Sequence, residues 1–196
     1  MLYPEHKPVP DKLYANEFLL RPICASDVNL DYIAVMETKI MLRRLFQSDW
    51  PPDDFTVDDN LWDLNIHVKE HNERRQFCYT MMNLSESTCL GAVYVRPLRI
   101  PPPEWTIRRG DFPPPVEGEA AIDFWVIPPG VIDDLDRRLV DTLLDWFDQD
   151  WDFPRVSYRT NEGLPRQIEV LRESGLRERY VIKRPNGLPN RILYSQ

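Results

Sequence analysis

Cysteine is scarce in this chain, at three residues in 196, and the three carry no metal-ligand spacing. If Cys78 and Cys89 lie on one hairpin turning at residues 85–88, Cys78 faces Val95 and Cys89 faces Leu84, so no disulfide joins them. Unpaired thiols fit a reducing compartment, and a cytoplasmic protein is expected. Long apolar runs are also missing. No segment approaches the roughly 18 apolar residues of a membrane span, so no membrane partner is expected. The opening 17 residues are broken by three prolines and have no apolar stretch, which predicts an irregular arm rather than a signal peptide. Positive charge is in deficit, with 24 Lys and Arg against 32 Asp and Glu, a net charge of −8. The pairs Arg43-Arg44, Arg74-Arg75 and Arg108-Arg109 are isolated, so no basic stripe exists to neutralise nucleic-acid phosphates.

What is present suffices for one core. The chain is 42% hydrophobic with six Trp and eight each of Tyr and Phe, and residues 18–196 read as a single domain. FLLRPI (18–23) predicts a strand, and Ser26 and Asp27 then cap a helix whose Val28, Tyr32, Val35 and Met36 recur at helical spacing. Thr56 followed by Asp59 is a variant capping box opening a second helix, with Leu61, Leu64 and Val68 as its apolar stripe. Two runs rich in β-branched, aromatic and sulfur side chains, 76–84 and 89–98, predict a hairpin. Residues 97–117 hold seven of the nineteen prolines and predict a long stiff loop. Residues 119–127 read as a buried strand. A helix follows whose Leu135, Leu139, Leu143, Trp146 and Phe147 share one face. A strand at 155–160, a helix from Leu164 to Ser174 with Pro165 in its first turn and Gly175 at its end, and two closing strands complete the chain.

The order strand, two helices, hairpin, strand, helix, strand, helix, two strands resembles that of the GNAT superfamily of acetyl-CoA-dependent N-acyltransferases. FLLRPICASDV is similar to the family's opening strand and helix start. LGAVYV is similar to its third strand, with Gly91 at the usual glycine, and Asn161 and the ending ESGL resemble features of its last strand and helix. The resemblance implies an α/β (α+β) domain with a mixed central sheet of about seven strands flanked by about four helices. It also implies transfer of an acetyl group from acetyl-CoA to a small-molecule or peptide amine, without a metal.

The family's diphosphate-binding loop would follow Val126. There, glycines let main-chain N–H groups approach coenzyme A at a helix N-terminus whose dipole favours negative charge. Aligned without a gap, the family's basic position falls on Val131 and its two glycines on Asp134 and Asp136, so the basic side chain and both glycines are absent. Two like unit charges about 5 Å apart repel by roughly 3 kcal/mol at an effective dielectric near 20, a large share of the roughly 8 kcal/mol of a micromolar complex. The same aspartates are fully accounted for as acids that stabilise a helix N-terminus. Arg137 and Arg138 are placed to reach back toward the loop.

The resemblance therefore assigns Trp125, Val126 and Ile127 to main-chain contacts with the pantetheine arm. It assigns Val131, Ile132, Asp133, Asp134, Leu135 and Asp136 to the loop, and Asn161 to the cofactor side. Glu119 and Asp123, on the central strand, are the candidate bases. The tyrosine that many members use as an acid is replaced by Leu171. Without coenzyme A binding, the same scaffold would be a binding or regulatory module.

Two further signals stand outside this pattern. His67 to His71 matches H-x-x-E-H, a zinc-peptidase motif, but it sits near the polar end of the second helix and reads as a solvated pair. The tryptophans, Trp62 among them, read as core. Trp105, amid prolines and beside Arg108 and Arg109, is a candidate to fold over a ligand or partner.

Overall fold

A computed structural model describes residues 2–128 and 133–196. Its centre is a nine-stranded mixed sheet in the order β1-β2-β3-β4-β6-β7-β9-β8-β5. The strands are β1 (Leu13–Tyr14), β2 (Phe18–Pro22), β3 (Phe77–Asn83), β4 (Cys89–Pro97), β5 (Thr106–Arg108), β6 (Ala120–Val126), β7 (Val156–Asn161), β8 (Arg177–Ile182) and β9 (Arg191–Ser195). The helices are α1 (Val28–Phe46), α2 (Val57–Asn72), α3 (Leu135–Gln149) and α4 (Pro165–Glu173). The expected seven strands are all present. The two additional ones, β1 and β5, are edge pieces of two and three residues, too short to carry an alternating pattern.

The stretch before Phe18, expected as an irregular arm, holds β1 and also sends Leu2 and Tyr3 into the core, where Tyr3 packs edge-on against Phe77 and Trp151. The capping box of α2 forms as read: Thr56 N–H donates to Asp59 Oδ2 at 2.9 Å and Asp59 N–H to Thr56 Oγ1 at 3.2 Å. The cap expected for α1 does not form. Asp27 makes no capping bond and instead accepts from Arg21 Nη1 and Nη2 at 2.7 and 2.9 Å. A charged bidentate pair is stronger than a neutral amide bond, and Arg21 on β2 lies within reach.

Strand alternation divides the side chains between two layers. Tyr94 on β4 and Asp123 on β6 face α1 and α2, where Tyr94 meets Phe46 and His67. Tyr79, Val93 and Phe124 face the other way, where Tyr79 meets Trp146 of α3. The apolar face read for α3 is buried throughout. The hairpin register differs from the expectation by two residues next to the turn and by one beyond the bulge. Cys89 pairs with Met82 because the turn closes at Asn83 and Thr88, one residue earlier than expected, and Cys78 pairs with Tyr94 because a bulge between Met81 and Met82 takes one residue back. All three thiols are free. Trp62, expected in the core, is 67% exposed. No helix of the described residues is long and apolar enough to cross a membrane.

Candidate functional site

The break in the sheet sits between β6 and β7, its one parallel pair. Their pairing runs from Ala120/Val156 to Ile122/Tyr158 and stops, although both strands continue. The result is a wedge. Ile127 N–H donates to Leu90 C=O at 2.9 Å, so by antiparallel alternation Phe124 and Val126 turn their peptide groups away from β4, toward the wedge. Phe124 C=O is already used, accepting from Gln167 Nε2 of α4 at 2.9 Å, while Gln167 Oε1 accepts from Thr160 on β7 at 2.9 Å. One glutamine thus stitches the two strands where their ladder ends. Val126 has no such partner among the described residues.

On the α1/α2 face, at the mouth of this wedge, lies a cavity of about 500 Å³. Its floor is a chain of hydrogen bonds. Gln76 donates to Glu70 and accepts from Arg96 Nε at 3.0 Å; Arg96 Nη1 reaches Asp123 Oδ2 at 3.2 Å; and Arg159 Nε donates to Asp123 Oδ1 at 2.6 Å. Arg75, Arg99 and Arg191 complete the charged lining. Asp123, a candidate base in the sequence reading, lines this cavity and is held there by two guanidinium groups.

Glu119 is elsewhere. It is buried at the opposite end of β6, with Arg179 Nη1 at 2.6 Å from Oε2 and Arg155 Nη1 at 2.8 Å from Oε1. Val116 N–H also donates to it. Its geometry is that of a buried ion cluster tying the long loop to β6 and β8, remote from the cavity. Asn161 has a similar fate. Its Nδ2 donates to Arg44 C=O at 3.0 Å and its Oδ1 accepts from Gly163 N–H at 2.9 Å, closing the end of α1. Leu171 is fully buried.

The entry to α3 is filled by the chain's own charges. Asp134, the N-cap residue, has a left-handed backbone (φ 51°). Arg166 of α4 donates to Asp134 Oδ1 at 3.0 Å and to Asp136 Oδ2 at 2.9 Å, and these bonds hold its guanidinium more firmly protonated. Asp136 Oδ1 accepts from the amide of Arg137 at 2.9 Å, one of the N–H groups an incoming anion would need. Leu135 is buried, and Asp133 is exposed. Arg137 and Arg138, expected to reach back, turn instead to Glu173 and Glu17. Val131 and Ile132 lie outside the described residues. Trp125 is buried, its Nε1–H donating to Tyr94 Oη at 3.3 Å, and Ile127 is buried beside Leu90.

His67 and His71 are not a solvated pair. Burial and the nearby Arg96 press His67 down to about 4, and its ring packs on Tyr94. His71 accepts from Cys78 N–H at 3.3 Å and packs on Phe77 and Tyr79. Trp105 is 45% exposed and fixed through its carbonyl, which accepts from Lys183 N–H at 2.8 Å. Sequence reasoning missed Gln76, Arg96, Arg159 and Arg191, since nothing local marks residues that only the sheet brings together, and met Glu70 only as the acid of the H-x-x-E-H match.

Comparison of the whole fold with solved structures is decisive. RimL, a ribosomal L7/L12 alpha-N-protein acetyltransferase in complex with coenzyme A, matches with a TM-score of 0.70 at 14% identity, over 93% of this chain and 94% of that one. The fold is that of the GNAT acetyltransferases. The microcin C7 self-immunity acetyltransferase MccE, in complex with acetyl-CoA and AMP, shares the GNAT arrangement at 0.67 and 12% identity over 93% of each chain. The ribosomal-protein-S5-alanine acetyltransferase of Vibrio fischeri does so at 0.64 and 17% identity, over 95% of this chain and 96% of that one. No protein-family model and no curated sequence matches the chain.

Proposed function

We propose that this GNAT-fold chain transfers an acyl group from acetyl-CoA to a small-molecule or peptide amine. One observation carries the reading: the wedge beside Val126 and the cavity on the α1/α2 face meet at Asp123 and Arg159, so a thioester entering from one face reaches an acceptor entering from the other. The unpaired Val126 peptide group suits the amides of a pantetheine arm. The cationic lining favours the neutral form of an amine, which is the nucleophilic one. Glu70, with an amide rather than a guanidinium for its partner, is better placed than Asp123 to take the proton released. Free thiols suit a cytoplasmic setting, and residues 18–196 are taken as the acyltransferase domain.

The diphosphate does not fit the α3 entry as it stands, because Asp134, Asp136 and Arg166 satisfy one another there and the Arg137 amide is engaged. That cluster favours the second reading, a GNAT-fold binding module without coenzyme A. Calorimetry and thermal unfolding with acetyl-CoA separate the two. A ligand at about 100 times its dissociation constant adds about 2.7 kcal/mol of stability. For the transferase we expect a melting shift of roughly 5–10 °C, and the double variant Asp134→Gly, Asp136→Gly should bind acetyl-CoA more tightly. No shift with acetyl-CoA or coenzyme A at about millimolar concentration would leave only the binding module.

A further inference from the structure

We propose that the arginine-lined cavity binds a small, multiply charged anion, a phosphate ester or a polycarboxylate. The basis is a local reversal of charge. Five arginines (Arg75, Arg96, Arg99, Arg159 and Arg191) and no lysine line the cavity, against two carboxylates, in a chain whose net charge is −8. Those carboxylates are already engaged. Glu70 accepts from Gln76, and both oxygens of Asp123 are shared between Arg96 and Arg159.

Two guanidinium groups are left over. Arg99 has no carboxylate within bonding distance among the described residues. Arg191 has one side-chain contact among them, a 3.3 Å bond from Nε to the neutral Gln47 Oε1, which leaves its terminal nitrogens open to the cavity. Burial and the neighbouring Arg159 and Arg184 lower Arg191 to about 10, the direction a crowd of like charges imposes. Arg184, near Arg191 but outside the cavity lining, has a buried Nε with no hydrogen-bond partner among the described residues. A half-buried cation such as Arg191, crowded by like charges, is destabilised, and an anion beside it reverses the sign of that interaction.

The choice of arginine narrows the chemistry. A planar guanidinium offers two parallel N–H donors that match the oxygens of phosphate and carboxylate, which an ammonium does not. The volume limits the size to that of a metabolite. A long polyanion is disfavoured, because the remaining surface is more acidic than the chain as a whole and would repel whatever lay beyond the cavity mouth. The site stands whether or not acyl transfer occurs; where it does, the anion is a second group on the acceptor.

The test uses the full chain without any coenzyme A, so its result is independent of the transferase reading. Inorganic phosphate and citrate are titrated separately by calorimetry and thermal unfolding, against sodium chloride at equal ionic strength. We expect a saturable melting rise with at least one of them, phosphate alone pointing to a phosphate ester and citrate alone to a polycarboxylate. Arg191→Gln should weaken that binding about tenfold or more. Arg99→Gln, at an exposed position, should weaken it in the same direction and guards against a folding defect in the first variant. Arg177→Gln, exposed on β8 outside the cavity, should leave it unchanged. No saturable effect of either anion up to about 10 mM, or equal binding by both cavity variants and the parent chain, overturns the proposal.

Discussion

Asp31 and His67 are two buried titratable side chains whose effects on stability run in opposite directions. Asp31, on α1, is raised to about 6 by burial, the bond it accepts from Asn60 Nδ2 at 2.9 Å offsetting only part of that. An unfolded aspartate titrates near 3.9, so between about pH 4 and 6 the folded chain holds the extra proton and stability falls as pH rises. His67 is lowered to about 4, below its unfolded value near 6.5. Over the same range the unfolded chain holds its extra proton, and stability rises with pH. For these two groups the slopes oppose and largely cancel from pH 4 to 6. Asp31→Asn removes the falling slope. Urea unfolding across that range should then show stability climbing with pH, with a gain on the order of 2–3 kcal/mol at pH 7. A variant with the same pH dependence as the parent would mean that Asp31 is not the buried acid described. At this scale the sequence was legible only where position alone decides. Asp123 is a candidate from its place on β6 alone, and its two arginine partners lie 27 and 36 residues away, beyond the reach of any spacing rule.

Elements were more legible, and their failures have local causes. The capping box of α2 and the apolar face of α3 involve neighbours along the chain, which is why they formed as read. The hairpin register needed knowledge of where the turn closes and of a bulge, and neither leaves a mark in residue type. Gly91 on β4 was matched only by resemblance, and the structure supplies its reason. Its φ is +152°, and a Cβ there would stand 2.1 Å from Trp125 C=O on the adjacent strand. That oxygen belongs to backbone and cannot swing aside. Gly91→Ala should therefore destabilise the fold by more than about 2 kcal/mol, read as a lower denaturant midpoint with an unchanged slope. A loss below about half a kilocalorie would show that β4 and β6 relax apart freely.

For the whole molecule, the long proline-rich connection proves structural at its far end. Thr106–Arg108 pairs with β8, and Leu98 and Ile100 cover a small apolar cluster of Tyr180, Ile182 and Leu193. Arg109 N–H donates to Arg179 C=O at 2.8 Å, and Arg179 Nη2 to Pro113 C=O at 3.4 Å. The connection closes one edge of the sheet, and proline content alone gave no sign of that. Replacing residues 101–116 with a glycine-serine linker bares the β8 edge. Sedimentation should then show a mean mass that rises with concentration more steeply than for the parent chain, and matching profiles would assign the capping to something else.

The bond from Asn161 to the carbonyl end of α1 has a mechanical consequence. Asn161 closes β7, and α4 starts four residues later with the arginine that grips the α3 entry and the glutamine that stitches the wedge. One amide side chain thus fastens the helix layer on one side of the sheet to the hinge of the layer on the other. Prising α1 away from the cavity pulls on the turn that sets Arg166 and Gln167, so neither side of the sheet opens without straining the other.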